Sequence, residues 1–239
     1  DMQKRWVLKS KTDVKITNKL REELNINTVL AELLVSRGIE TFDESKQFFR
    51  PQLSDLHDPF LMRDMEKAII RIIQAIGNKE KILIYGDYDV DGTTAVAVVY
   101  SFFREFHSQL EFYIPDRYAE GYGVSYKGID YADDNGISLI IALDCGIKSI
   151  DHIAYAKAKN IDFIVCDHHR PGEFLPDAIA VLDPKREDCS YPYDELCGCG
   201  VGFKLIQALG QNRNETIEDL VPYLDLVATA IAADIVPIT

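Results

Sequence analysis

From Lys81 onward the chain repeats one pattern: a short apolar run, a polar or glycine-bearing turn, then a stretch with helical spacing. The runs are Ile82–Tyr85, Glu111–Ile114, Leu139–Leu143, Phe163–Cys166 and Ile179–Leu182, and they are rich in Ile and Val. A strand with one wet face alternates apolar and polar residues. A strand covered on both faces reads as these do. Helices are predicted at about Thr93–Phe106, Ser125–Asn135, Ser149–Lys159 and Gly202–Gly210. A further helix covers about Glu215–Ala233, disturbed at Pro222. Strand–helix alternation of this kind predicts an α/β fold, a doubly wound, five-stranded, mostly parallel sheet with helices on both faces.

Residues 1–80 show no strand alternation and read as short helices. Thr28 to Arg37 is an apolar helix closed by Gly38. Thr41-Phe-Asp-Glu44 is a capping box that opens a helix through about Phe49, with Pro51 as its stop. From Asp64 to Ile76, apolar residues recur at helical spacing (Met65, Ala68, Ile69, Ile72, Ile73, Ile76), and Gly77 closes the run. The expected organisation is an N-terminal helical segment over 1–80 and an α/β domain over 81–239, linked near His57–Phe60.

Composition narrows the class. In 239 residues no apolar run approaches the ~20 that a membrane helix needs. No charged-then-apolar leader opens the chain, which argues against secretion. Five cysteines, an odd number, fit reduced thiols in a cytoplasm. Cys197 and Cys199 with Cys189 do not reach the four ligands and C-x2-C spacing of structural zinc, so they read as buried thiols. The net charge of −13 argues against nucleic acid as a partner. The acid excess, however, lies wholly after residue 80, and carboxylates that converge on divalent cations would reverse the local sign.

In an open parallel sheet, ligands bind beyond the carboxyl ends of the strands. The first strand is followed there by Gly86-Asp87-Tyr88-Asp89-Val90-Asp91-Gly92. Asp144, Asp167-His168-His169-Arg170 and Asp183 follow three others. One acid after a strand is ordinary, because Asp favours turns and helix N-caps. Four acids with two adjacent histidines point to a site. Three carboxylates at alternate positions in one turn would repel unless cations held them, and oxygen-plus-imidazole ligation suits Mn2+ or Mg2+. An EF-hand is excluded: its twelfth position would be Val98 rather than Glu, and a strand precedes the loop. Asp234 ends a long apolar helix, where an acid opposes the dipole, so a separate reason for it is expected. Two cations bridged by a carboxylate would activate water for in-line attack on phosphorus.

At these residues the chain resembles the DHH phosphoesterase superfamily, named for the run seen here as Asp167-His168-His169. It is similar in particular to the RecJ branch, single-strand-specific 5′→3′ DNA exonucleases of repair and recombination. That similarity runs through Trp6-Val7-Leu8, Leu53–Met62, Gly86–Gly92, Pro115–Arg117, Glu120-Gly-Tyr-Gly123, Asp183-Pro184, Gly198–Lys204 and Ala232–Pro237. The resemblance implies two Mn2+ or Mg2+ ions held by Asp89, Asp91, Asp144, His168 and Asp234, with Asp144 bridging and Asp87 as an extra or supporting group. It also implies that His169 faces the scissile phosphate and that Asp167 orients a histidine. Arg117, Tyr122 and Arg170 are the expected DNA contacts, the arginines for phosphate and Tyr122 for stacking. The implied partners are single-stranded DNA and a single-strand-binding protein, with no membrane and a monomeric chain. The family's second domain, with its Gly-Gly-His motif, and its OB-type domain are not in these residues. Metal binding with weak digestion of long strands is therefore expected. Two other readings stay open: another phosphoesterase of the superfamily, acting on pyrophosphate, short oligonucleotides or cyclic dinucleotides, and a non-catalytic replication scaffold.

Overall fold

A computed structural model of the chain describes residue 5 and residues 7–237. Trp6, one of the residues that carry the resemblance, lies outside them. The residues divide into two compact units, one up to Leu56 and one from His57 onward.

Among its described residues the first unit holds three α-helices, α1 (Val14–Leu24), α2 (Thr28–Val35) and α3 (Phe42–Phe49), and a 3-10 turn at Leu53–Asp55. The capping box at Thr41 and Glu44 forms with both of its hydrogen bonds. Apolar spacing does not predict α1. Its sequence is mostly polar, only Thr17 and Leu20 are fully buried, and its start is marked by Asp13, whose carboxylate accepts from Lys15 N and Ile16 N.

In the second unit a short 3-10 turn (Pro59–Leu61) precedes α4 (Met65–Gly77), followed by β1 (Lys81–Gly86), α5 (Val90–Arg104), β2 (Leu110–Tyr113), α6 (Tyr126–Asp134) and β3 (Ile137–Leu143). After these come α7 (Ile150–Ala158), β4 (Asp162–Cys166), β5 (Ala180–Leu182), α8 (Gly198–Asn212) and α9 (Leu224–Asp234). The strands form one sheet in the order β2-β1-β3-β4-β5. Every pairing is parallel, so the sheet is wholly rather than mostly so. The boundary expected at residue 80 marks where strands begin, whereas the compact unit starts at His57. Met65, Ala68, Ile69 and Ile72 of α4 are buried in the same cluster as the sheet, which accounts for the difference.

Alternate strand residues feed two cores. Ile82, Ile84, Leu139, Ile141, Leu143, Ile164 and Leu182 face α4, α5, α8 and α9. Leu83, Tyr85, Ile140, Ala142, Phe163 and Val165 face α6 and α7. Both faces are covered, which is why the strands lack alternation. Pro222 sits in a 3-10 segment, Glu218–Tyr223, so the long terminal helix is split there and α9 begins at Leu224.

Candidate metal centre

Strand register sets the site. Gly86 of β1 pairs with Leu143 of β3, Leu143 with Cys166 of β4, and Cys166 with Leu182 of β5. The next residue of each strand is Asp87, Asp144, Asp167 and Asp183, so four carboxylates stand in one row at the carboxyl edge. The chain leaves β1 toward one face and β3 toward the other, and the crevice between such strands is where open α/β sheets bind ligands.

The segment after β1 is a helix start rather than a loop. α5 begins at Val90, three residues earlier than predicted, because Asp89 is its N-cap and accepts from Gly92 N at 2.9 Å. Asp91 therefore lies in the first helical turn and is 2% exposed. Its carboxylate accepts from two amides at the start of α8: Gly198 N to Oδ2 at 2.6 Å and Cys199 N to Oδ1 at 2.8 Å. Gly92 is required by close approach, since a Cβ there would meet the Asp87 backbone at 2.5 Å. α8 also starts earlier than predicted. Gly198, Gly200 and Gly202 lower its helix propensity, but all three are buried and packing overrides the cost.

Three groups of side chains each bring ligand atoms within 4.8 Å of one another: Asp87, Asp89 and Asp144; Asp91, His168 and Asp234; Asp144, His168 and His169. His168 Nε2 lies 3.1 Å from Asp144 Oδ1, 3.6 Å from Asp234 Oδ2 and 3.7 Å from Asp91 Oδ2. Asp234, at the end of α9, is thus brought to the same cluster as Asp91 and His168. Asp87 Oδ2, Asp144 Oδ1 and both ring nitrogens of His168 are buried without hydrogen-bond partners. Orphaned groups of this kind cost about 1–3 kcal/mol each. A hard divalent cation satisfies carboxylate oxygens and a neutral imidazole nitrogen together, so the donor set fits Mn2+ or Mg2+.

The electrostatics agree with this fit. Burial, then Asp91 and Asp89, push the Asp144 carboxyl up. Burial likewise raises Asp87 and Asp234. His168 is pushed down by burial and by His169, which keeps it in the neutral form that ligates metals. Among the described residues no metal-capable group includes a cysteine, and all five cysteines are free thiols.

Asp167 is differently placed. Oδ1 accepts from His168 N (2.7 Å), His169 N (3.1 Å) and His169 Nδ1 (2.7 Å), and Oδ2 accepts from Ile147 N (2.9 Å). Burial acts to raise its pKa, but the hydrogen bond and charge of His169 hold it below the usual carboxylate range. The same bond raises His169. The other ring nitrogen, His169 Nε2, lies 3.2 Å from the Tyr122 hydroxyl.

Tyr122 is 55% exposed, so it is not core packing. Its ring meets Tyr88 edge-on at 6.0 Å, and the Arg117 guanidinium lies 5.2 Å from the Tyr88 centroid. Tyr88 was missed by sequence reasoning, masked by the aspartates on either side of it. Glu120 anchors this loop by accepting from Asp116 N, Tyr113 Oη and Ser125 Oγ. Arg170 is not brought to the cluster by any hydrogen bond or ion pair among the described residues. It lines a separate groove of about 750 Å3 with Glu173, Lys185, Arg186 and Glu195. Asp183, in the carboxylate row, is 0% exposed, and burial pushes its pKa up to about 7.

Comparison with known proteins places these features in a family. The model of the DHH family, N-terminal domain, matches residues 81–231. The single-stranded-DNA-specific exonuclease RecJ of Bacillus subtilis (strain 168) is 42% identical over 98% of this chain and 29% of its own length. That of Escherichia coli (strain K12) is 34% identical over 88% of this chain and 37% of its own. The chain therefore spans about a third of the length of these relatives. A crystal structure of exonuclease RecJ bound to manganese superposes with a TM-score of 0.67 at 27% identity, covering 74% of this chain and 44% of that one. A crystal structure of RecJ from Thermus thermophilus in complex with Mn2+ shares the fold with a TM-score of 0.79 at 23% identity, over 98% of this chain and 32% of that one.

Proposed function

As this chain belongs to the DHH family, we propose that it carries the two-cation centre of a single-strand-specific 5′→3′ DNA exonuclease that releases 5′-mononucleotides in repair and recombination. The observation that carries this reading is the His168 imidazole facing Asp91, Asp144 and Asp234 beside the Asp87–Asp89 pair. In this reading Asp87, Asp89 and Asp144 hold one Mn2+ or Mg2+, and Asp91, Asp144, His168 and Asp234 hold the other. Bound there, the ions supply an activated water and offset charge on the phosphoryl oxygens.

The chain's own residues do the rest. Asp167 fixes His169 through Nδ1 and favours the imidazolium form, in which Nε2 also carries a proton to give toward the scissile phosphate or the leaving oxygen. Tyr122 offers a ring for an unpaired base, and Arg117 and Arg170 meet phosphates along the strand. We assign the chemistry to residues 81–239, with 1–80 as the helical segment before it. The protein acts as a cytoplasmic monomer, with single-stranded DNA and a single-strand-binding protein as partners. Among the described residues no helix is long and apolar enough to cross a membrane.

The test is Mn2+-dependent release of 5′-mononucleotides from a short single-stranded oligonucleotide, compared with the same sequence as a duplex. Release from the single strand alone, lost in Asp144→Asn, supports the reading. Phosphate release from pyrophosphate with no attack on DNA would assign the chain to another phosphoesterase activity.

A further inference from the structure

The first turn of α8 takes no part in the chemistry above, yet it touches two of the carboxylates that carry it. Gly198 N and Cys199 N donate to the two oxygens of Asp91. The Cα of Gly198 also stands directly against Asp144, where a Cβ would meet Asp144 Cβ at 2.5 Å and Oδ1 at 2.6 Å. Asp91 comes from the first turn of α5 and Asp144 directly follows β3. One residue of a third element therefore contacts both, and His168 Nε2 lies 3.7 and 3.1 Å from their oxygens.

We infer that Gly198 is a positioning residue: α8's first turn fixes the Asp91 carboxylate and its separation from Asp144, and so sets the affinity for the divalent cation between them. A free carboxylate turns about two side-chain torsions. One held by an amide at each oxygen has its remaining lone pairs aimed in fixed directions. Gly200, in the same turn, supplies an internal control. A Cβ there meets nothing nearer than Leu196 at 3.5 Å and Cys197 Sγ at 3.7 Å, which is ordinary contact. Glycine-to-alanine replacement changes helix propensity alike at both positions, but it moves a carboxylate at only one.

The inference rests on the two-cation reading, and a wild-type chain that takes up no Mn2+ overturns that reading before any variant is compared. The experiment is calorimetric titration of Mn2+ into wild type, Gly198→Ala and Gly200→Ala, with folding checked by circular dichroism. Gly198→Ala is expected to weaken Mn2+ binding by about ten- to a hundredfold, the usual effect of losing a group that orients a ligand, with Gly200→Ala unchanged. Equal affinity in Gly198→Ala and wild type, or equal losses in both variants, overturns the inference. Should Gly198→Ala not fold, amide exchange in the wild type decides the matter. Mn2+ is expected to slow exchange at Gly198 and Cys199 more than at Gly200, whose amide bonds Cys197 Sγ, and an unchanged rate at the first two overturns it.

Discussion

Asp167→Asn separates a carboxylate that orients a histidine from one that binds a cation. A carboxylate has about four acceptor positions, and Asp167 receives four donors: three at Oδ1 and one at Oδ2. Asparagine keeps one acceptor oxygen. With that oxygen at the Oδ1 position, its NH2 faces the Ile147 amide, leaving a buried donor without an acceptor at a cost of about 1–3 kcal/mol. Loss of charge assistance toward His169 adds roughly 1 kcal/mol. The expected destabilisation of about 2–4 kcal/mol is survivable for a domain stable by roughly 5–15 kcal/mol. Mn2+ affinity should fall by no more than about tenfold, the low end for a supporting group, because no bond joins Asp167 to either ring nitrogen of His168. Turnover should fall by about 10²–10⁴, the usual worth of an acid–base group. Urea unfolding in EDTA, Mn2+ calorimetry and mononucleotide release measure the three effects. Loss of Mn2+ binding as complete as in Asp144→Asn would make Asp167 a ligand. Unchanged turnover would remove the charge of Asp167 from the chemistry.

Three further outcomes are expected. Mn2+ at a hundred times its Kd should stabilise the chain by about 2.7 kcal/mol and raise Tm by roughly 5–10 °C; scanning calorimetry should show no such rise in Asp144→Asn. Lys204 is 3% exposed, with Nζ bonded to His57 O and Gln207 Oε1, and burial pushes its pKa from 10.5 down to about 8. Between those values the unfolded chain holds the proton that the folded chain has released, so stability rises with pH; between pH 7 and about 9.5, urea unfolding should show wild type gaining about 2 kcal/mol over Lys204→Met, and parallel profiles would refute this. Tyr122→Ala should raise KM for a single strand about tenfold through lost stacking, while Tyr122→Phe, which keeps the ring, should hold KM; steady-state assays decide.

Where packing alone decides structure, the residues were readable. Ile82–Tyr85 and Leu139–Leu143 could be read as strands because both sheet faces are covered. Asp87, Asp144, Asp167 and Asp183 could be placed at one edge because parallel strands all end on the same side. What escaped depends on contacts between distant segments. The start of α8 is hidden by Gly198, Gly200 and Gly202, which look like a loop until Asp91 and Asp144 are brought against them. Tyr88 gains its setting only when the 115–125 loop carries Arg117 and Tyr122 to its ring. Arg170 follows the histidines in sequence, yet it lines a groove shared with Glu173, Lys185 and Arg186, which only the fold brings to it.

Repulsion within the Asp87–Asp91 segment is also met differently from what the sequence suggests. Three carboxylates in one turn suggested that only cations could hold them. In the structure each finds backbone donors: Asp87 accepts from Tyr88 N, Asp89 caps α5, and Asp91 is clamped by the start of α8. Two helix N-termini thus supply part of the positive charge that the cluster needs. What they leave unmet is specific: Asp87 Oδ2, Asp144 Oδ1 and the His168 ring nitrogens. A fold that depended wholly on metal would be unfolded without it, as small zinc domains are. Here the hydrophobic sheet and the helix amides also hold the carboxylates, so chelation should lower Tm without abolishing the cooperative transition. Loss of that transition in EDTA would show that the cations, rather than α5 and α8, hold the cluster together.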